Sequence, residues 1–422
     1  MRRIQIKDAS ATLPALKQSE VISKSYEFTL ITPMFGGDED SFVINKKTPI
    51  RSQSIKGQLR FWWRTMQGFT SRDELLEAET KIWGGSLSEK KLKSEVKVSV
   101  TDFRNLEVTP IKKERPWTEP NILSSYVLFP IFNNKDVQNP SLLSKATFSL
   151  SLTYPREHEK AAINSLLLWA LFGGVGARTR RGCGSVYSEE LLKDRGITSI
   201  ADVKKFIDDV GCGNVAELPY ARIKGAKLFY SSAKGSVKEL LKKYGDYRQD
   251  RKPPQVGENH PGRSYWPEPD AIRQLVLPKS ILNSPKNLHK PEHPDEIWFP
   301  RAAFGLPVIT HFNTSNNGKD DPRDNIKLEP AEKIGGRHAE RWPSPYFIKQ
   351  LKLQNELFNV MFVLNQKFPS SLILNGVPVP PSGLPSNTKG KDMNVNPNKP
   401  EYRLNNRTIT KALADALGME EA

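Results

Sequence analysis

Two helical periods set among period-two stretches limit the fold of this chain more than any other feature. Residues 25–33, SYEFTLITP, place Tyr26, Phe28, Leu30 and Thr32 at alternate positions, the pattern of a half-buried strand ended by Pro33. EVKVSVT at 95–101 and TFSLSLT at 147–153 alternate in the same way. Residues 54–66 and 161–172 carry helical spacing, with Ser54 available to cap the first helix. The order strand, helix, strands, helix predicts an α+β fold: antiparallel sheets with helices on one face, the ferredoxin-like or RRM-like plan. At roughly 150 residues per domain, the chain has room for more than one such unit. We expect two, 1–215 and 216–422.

The second half is patterned less clearly. KLFYS at 227–231 predicts a strand, and SVKELLKKY a short helix with Ser236 and Glu239 at capping-box spacing, stopped by Gly245. A helix is expected over 271–277 and strands over 303–312 and 347–353. Residues 244–270, 313–343 and 381–400 are rich in Pro, Gly and charge and predict long loops. No short-period repeat is present, and two similar halves remain open.

Charge then selects the partner. Lys and Arg number 63 against 47 Asp and Glu, a net charge of +16, so a polyanion comes first. The longest apolar run, 166–172, is far short of the roughly 18 residues that cross a bilayer. MRRIQIKDAS lacks the apolar core of a secretory signal, so no membrane partner and a cytoplasmic location are expected. Cys183 and Cys212 are too few for a disulfide framework or a thiolate zinc site, and no cofactor or metal is expected.

Within SIKGQLRFWWRTM, Ile55, Leu59, Trp62 and Met66 form a core stripe. Lys56, Arg60 and Arg64 fall at i, i+4 and i+8 on the adjoining stripe, with Trp63 between the two. Such a row can meet successive phosphates while Trp63 offers a surface for base stacking; a solvated charged face is the plainer alternative. No acidic residue lies within the helix, and Arg51 adds charge where a helix N-terminus already favours an anion.

The second constellation is GGVGARTRRGCG at 173–184, where five glycines surround Arg178, Arg180 and Arg181 without a carboxylate. Glycines at Gly174 and Gly176 permit close backbone approach, so amides can point at phosphates while arginines clamp from the sides. The terminal Gly-Lys-Ser/Thr of a Walker loop is missing, and the segment follows a helix where a dinucleotide fingerprint would follow a strand. A basic glycine hairpin without a ligand is the alternative.

LITPMFGG, IRSQSIKGQLRFWWR, the IWGG at 82–85 and GGVGARTRRGCGS together resemble the RAMP superfamily of CRISPR-associated RNA-binding proteins. Within it they are similar to the subunit-one family of the type III-B Cmr complex. The resemblance rests mainly on residues 25–190; YWPEPDAIR, FPRAAFGLP and RWPSPYF are similar to the same family in the second half. It implies two RRM-like domains that assemble with other Cmr subunits on a CRISPR RNA and help capture target RNA, without the aspartate that cuts it. Carried over by motif, the RNA-binding residues are Ser54, Lys56, Arg60 and Arg64 of the helix and Gly174, Gly176, Arg178, Arg180 and Arg181 of the loop. Arg301 and Arg341 follow from the second-half segments, where pairing with local carboxylates is an alternative.

Enzymatic readings find less to stand on. A metal-dependent nuclease would want clustered carboxylates, offered by Asp38, Glu39 and Asp40 and by Asp320, Asp321 and Asp324, all in polar loops. A metal-free ribonuclease, such as RAMP proteins that process CRISPR transcripts, would need a positioned histidine, and none of the six lies in either basic motif. His289 and His293 have i, i+4 spacing, but Pro291 and Pro294 break the helix that would pair them. The expectation is a non-catalytic subunit that binds the guide RNA 3′ region, target RNA or both through backbone charge and stacking. An endoribonuclease and an assembly adaptor for acidic protein partners are the alternatives.

Overall fold

The computed structural model describes residues 20–36, 42–87, 90–112, 123–133, 137–213, 220–253, 262–285, 287, 297–312, 321–323, 325–334, 337–385, 395–404 and 407–422. The architecture is α+β with antiparallel sheets. Strand Val21–Leu30 buries Tyr26, Phe28 and Leu30, as its alternation predicts. It pairs on one side with Ser141–Pro155 and on the other with the short strand Val186–Tyr187; Lys97–Pro110 lies beyond Ser141–Pro155. Helices Ser52–Met66 and Glu159–Phe172 sit between these strands in the chain, giving strand, helix, strand, strand, helix, strand.

The second half repeats that order. Arg222–Ser232, helix Val237–Arg248, Tyr346–Leu353, Glu356–Asn365, helix Ile409–Ala416 and Glu420–Glu421 follow one another. The first of these strands again lies between the third and the last. What separates the halves is the long stretch between helix Val237–Arg248 and strand Tyr346–Leu353. It carries helix Glu268–Val276 and strands Val308–Thr310 and Ile326–Pro330, which join Leu372–Leu374 and Val377–Pro378 in a small sheet over its own core.

One core runs through both halves. The Trp62 ring lies 5.1 Å from Phe347, and Phe172 stacks on Phe362 at 3.9 Å, so the first-half helices are sandwiched between the two sheets. Every residue from Ala162 to Phe172 is consequently buried, which explains a helix that is apolar all round. The opposite face of the second sheet packs on Val237–Arg248 and Ile409–Ala416.

Several expectations are corrected. The cap of the first helix is Arg51, whose side chain makes no capping bond, and Ser54 lies in the first turn. Ser236 likewise makes no side-chain capping bond. Gly245 does not stop its helix: it is buried, and a Cβ there would lie 2.8 Å from the Tyr126 ring, so the glycine serves close approach. Residues 244–270 therefore do not form one projecting loop, and 313–343 contains a strand. The strand expected at 303–312 shrinks to Val308–Thr310 behind a 3-10 turn, Pro300–Phe304. Strand Glu356–Asn365 escaped the sequence reading because it is buried on both faces and shows little alternation. Both cysteines are free thiols, and among the described residues no helix is long and apolar enough to cross a membrane.

Candidate nucleic-acid interface

In the helix Ser52–Met66 the core stripe Ile55, Leu59, Trp62 and Met66 is buried as expected. Trp63 is not a stacking surface: it is only 3% exposed, because sheets cover the helix on two sides. The cationic row is also less free than its own sequence suggests. Arg60 Nε donates to Glu79 Oε1 at 2.6 Å and Arg64 Nη1 to the same oxygen at 2.8 Å, from the neighbouring helix Arg72–Trp83. The Glu79 side chain is 4% exposed, so this carboxylate holds both guanidinium groups from below. Lys56 has no carboxylate within ion-pair distance among the described residues. Burial, then the charge of Arg60, lowers its pKa.

The glycines of the 173–184 loop answer steric demands. Gly184 has φ +66°, and a Cβ there would sit 1.9 Å from the Val175 carbonyl oxygen; Gly176 has φ +77°, and its Cβ would sit 2.6 Å from the Phe35 oxygen. The expectation that the loop's amides point outward fails for several of them. Val175 N–H donates to Gly184 O at 2.8 Å, Ala177 N–H to Phe35 O at 2.6 Å, and Gly184 N–H to Pro33 O at 2.9 Å. Gly174 is buried as well. Backbone packing, not ligand approach, explains these positions.

The three loop arginines divide. Arg180 donates to the Ser344 carbonyl, and its guanidinium lies 4.8 Å from the Phe347 ring and 5.4 Å from Phe61. Burial draws its pKa down to about 10, and its carbonyl accepts from Ile348 N–H, so it ties the loop to the second sheet. Arg178 and Arg181 are half-buried and have no carboxylate partner among the described residues. Lys349, which sequence reasoning missed, donates to Gly173 O at 2.9 Å and Ala170 O at 3.4 Å. Its ammonium is fully buried, and burial pushes its pKa down to about 7. Neither Lys349 nor Glu79 announces itself in the sequence, since each is a single charge in a patterned element.

The start of the helix and the loop meet. Arg51, Ser54 and Gln58 form one wall of a cleft of about 250 Å³, and Val175, Gly176 and Ala177 form another. No carboxylate lines it among the described residues, and no acidic residue occupies the first turn of the helix. With no side-chain cap, the Ser52 and Gln53 amides at the helix start remain available to an anion, while Ser54 N–H already donates to Arg51 O at 3.1 Å; Arg51 is exposed beside them. Arg178 follows directly on the loop wall. The outer face of the first sheet is a different surface, lined by hydroxyls such as Ser23, Ser25, Ser151 and Thr153, not by stacking rings.

The second-half candidates do not join this cleft. Arg301 pairs with Glu268 at 3.1 Å and donates to Arg248 O at 2.9 Å, an internal role that replaces the expected RNA contact. Arg341 is exposed beside the buried Trp342 of the small core. Asp38, Glu39, Asp40, Asp320, Asp324, His260, His289 and His293 lie outside the described residues. Asp321 is paired with Arg273 at 2.7 Å. His158 Nε2 lies 2.6 Å from Glu95 and 3.8 Å from Glu157, outside both basic motifs.

Residues 27–187 match the family model of the RAMP superfamily. Among curated proteins, the chain is similar over part of its length to the CRISPR system Cmr subunit Cmr1-1 of Pyrococcus furiosus. The match is 31% identical over 169 residues, 37% of this chain and 47% of that protein, so it spans about half of the relative's length. Cmr subunit Cmr1-2 of the same organism is 27% identical over 180 residues, 38% of this chain and 92% of that protein. Among solved structures, apo Cmr1 from Pyrococcus furiosus aligns over 82% of this chain and 89% of its own, at 19% identity and a TM-score of 0.48.

Proposed function

We propose that this chain is a non-catalytic RNA-binding subunit of a type III-B CRISPR effector complex of the Cmr kind, and that it holds guide or target RNA together with other Cmr subunits. The observation that carries the reading is the cleft between Arg51, Ser54 and Gly176, which has an uncapped helix N-terminus and no carboxylate among the described residues. The names of the curated relatives support the assembly. Lys56, Arg178 and Arg181 extend the cationic surface around the cleft; Arg60 and Arg64 add what charge Glu79 leaves. Phosphate contacts of this kind position a strand without reading its bases, so sequence preference is expected to be weak. The repeated strand order supports two ferredoxin-like, RRM-like units divided near residue 215, and the site belongs to the first.

The test is direct. The full chain is incubated with labelled single-stranded RNA over a salt series, and the RNA is then run on a denaturing gel with and without divalent metal. Binding that weakens linearly in log salt, with intact RNA, is the expected result. Cleavage products, or no salt-dependent binding, would overturn the reading.

A further inference from the structure

Arg181 of the loop and Arg248 of the other half of the molecule converge on Tyr126, with Arg178 nearby. The Arg181 guanidinium lies 5.4 Å from the centre of the Tyr126 ring. Arg248, at the end of helix Val237–Arg248, donates through Nη1 to the Tyr126 hydroxyl at 3.0 Å and to the Tyr244 hydroxyl at 3.4 Å. The Tyr244 and Phe304 rings flank it at 5.7 and 5.2 Å. Arg178 is close enough for its charge to be felt at Tyr126, and burial and then the charge of Arg181 lower its pKa. None of the three has a carboxylate partner among the described residues. Arg178 and Arg181, like charges gathered in partial burial without a counter-ion, are costly in the free protein, and an anion that enters beside them relieves that cost, whereas the phenols of Tyr126 and Tyr244 already favour the charged form of Arg248.

We propose that Arg178, Arg181, Arg248 and the Tyr126 hydroxyl form a phosphodiester-binding site at the join of the two halves, one that takes the RNA backbone as it leaves the cleft. Arg248 is the anchor: two phenols and two rings fix its fork, which leaves further N–H donors for phosphate oxygens. The Tyr126 oxygen accepts from Arg248, so its own proton is free to be donated to the same phosphate. The site rests on the RNA-binding reading and adds to it a contact from the second half.

The experiment measures binding of a fluorescein-labelled oligouridylate by the full chain across a salt series. Arg248→Gln is expected to lower the log-log slope by about 0.7, which is about fivefold in affinity at 0.1 M salt. Tyr126→Phe is expected to weaken binding with the slope unchanged, since the phenol is neutral. A folded Arg248→Gln protein with the wild-type slope sinks this site but leaves the RNA reading standing; a wild-type chain without salt-dependent binding sinks both. Should Arg248→Gln fail to fold, photocrosslinking of wild-type protein to 4-thiouridine RNA decides. An adduct at Tyr126 supports the site, and adducts confined to 51–54 and 173–177 contradict it. An acidic peptide that binds while RNA does not would also overturn it.

Discussion

The two halves each present a cleft beside the first helix and the loop before the last strand, yet one lining is cationic and the other balances cations with carboxylates. In the first, the start of helix Ser52–Met66 opens between Met34 and Gly36, which follow strand Val21–Leu30, and the loop that precedes Val186–Tyr187. In the second, helix Val237–Arg248 opens between strand Arg222–Ser232 and the loop before Glu420–Glu421, at a cleft of about 770 Å³. The larger cleft holds Lys234, Lys243 and Lys411 but also Glu239, Asp415 and Glu420. Its helix carries Glu239 in the first turn, with the carboxylate folded against Gly235, so the helix supplies its own anion. Lys411 is paired with Asp415 at 3.0 Å. Topology alone does not make an anion site; the position of the carboxylates decides. In the first half the acid, Glu79, sits beneath the cations, and in the second the acids line the opening.

The loops that close the two clefts give the strongest way to break that comparison. Gly184 and Gly418 each stand two residues before the last strand of their half, with φ +66° and +68°. A Cβ on Gly184 would meet the Val175 carbonyl oxygen at 1.9 Å, whereas nothing lies within 4 Å of one on Gly418. Gly184→Ala is expected to cost at least about 3 kcal/mol, by displacing backbone. Gly418→Ala should cost about 1 kcal/mol, from backbone strain alone. Urea unfolding of both variants checks this; equal losses would mean the two loops are not built differently.

Glu79 comes next. Glu79→Gln removes the charge that holds Arg60 and Arg64 and should destabilise the fold by roughly 2 kcal/mol, discounted because both guanidinium groups are about a third exposed. The same variant should bind RNA more tightly, with a steeper salt dependence, because two cations are released. Weaker RNA binding by the folded variant would show that Glu79 positions the row instead of muting it.

A change graded with pH tests the tie between the halves. Lys349 titrates near pH 7 in the folded chain and near its ordinary value, about 10.4, when unfolded. Between these values the unfolded state binds more protons, so this residue's contribution to stability rises with pH from about 7 toward 9, by up to about 1.4 kcal/mol per unit. Lys349→Met should remove that component from the pH dependence of urea stability. A rise of the same steepness in the variant would assign it to another group.

Much of the first half was legible because strand Val21–Leu30 and the C-terminal part of Ser141–Pro155 face the core on one side only. Tyr26, Phe28 and Leu30 alternate because the hydroxyl-rich face opposite them meets solvent. The second half was harder to read for a physical reason: Glu356–Asn365 is packed on both faces, and the stretch before Tyr346 carries a sheet of its own. The stripe of Ile55, Leu59, Trp62 and Met66 was correct, but helical periodicity could not tell that a second sheet would also pack on Trp62, or that Trp63 beside it would be buried too. The basic residues were identifiable as a set. Their division into ligand-facing and structural members depended on Glu79, Ser344 and Glu268, each distant in sequence from the arginine it holds.

The most direct test compares salt dependence of RNA binding in two multiple variants of the full chain. Replacing Arg51, Arg178 and Arg181 with Ala should reduce the log-log slope by about 2, at about 0.7 per phosphate contact. Replacing Lys234 and Lys243 in the second cleft should leave the slope unchanged. Equal reductions in both variants, or a reduction only in the second, would contradict the account.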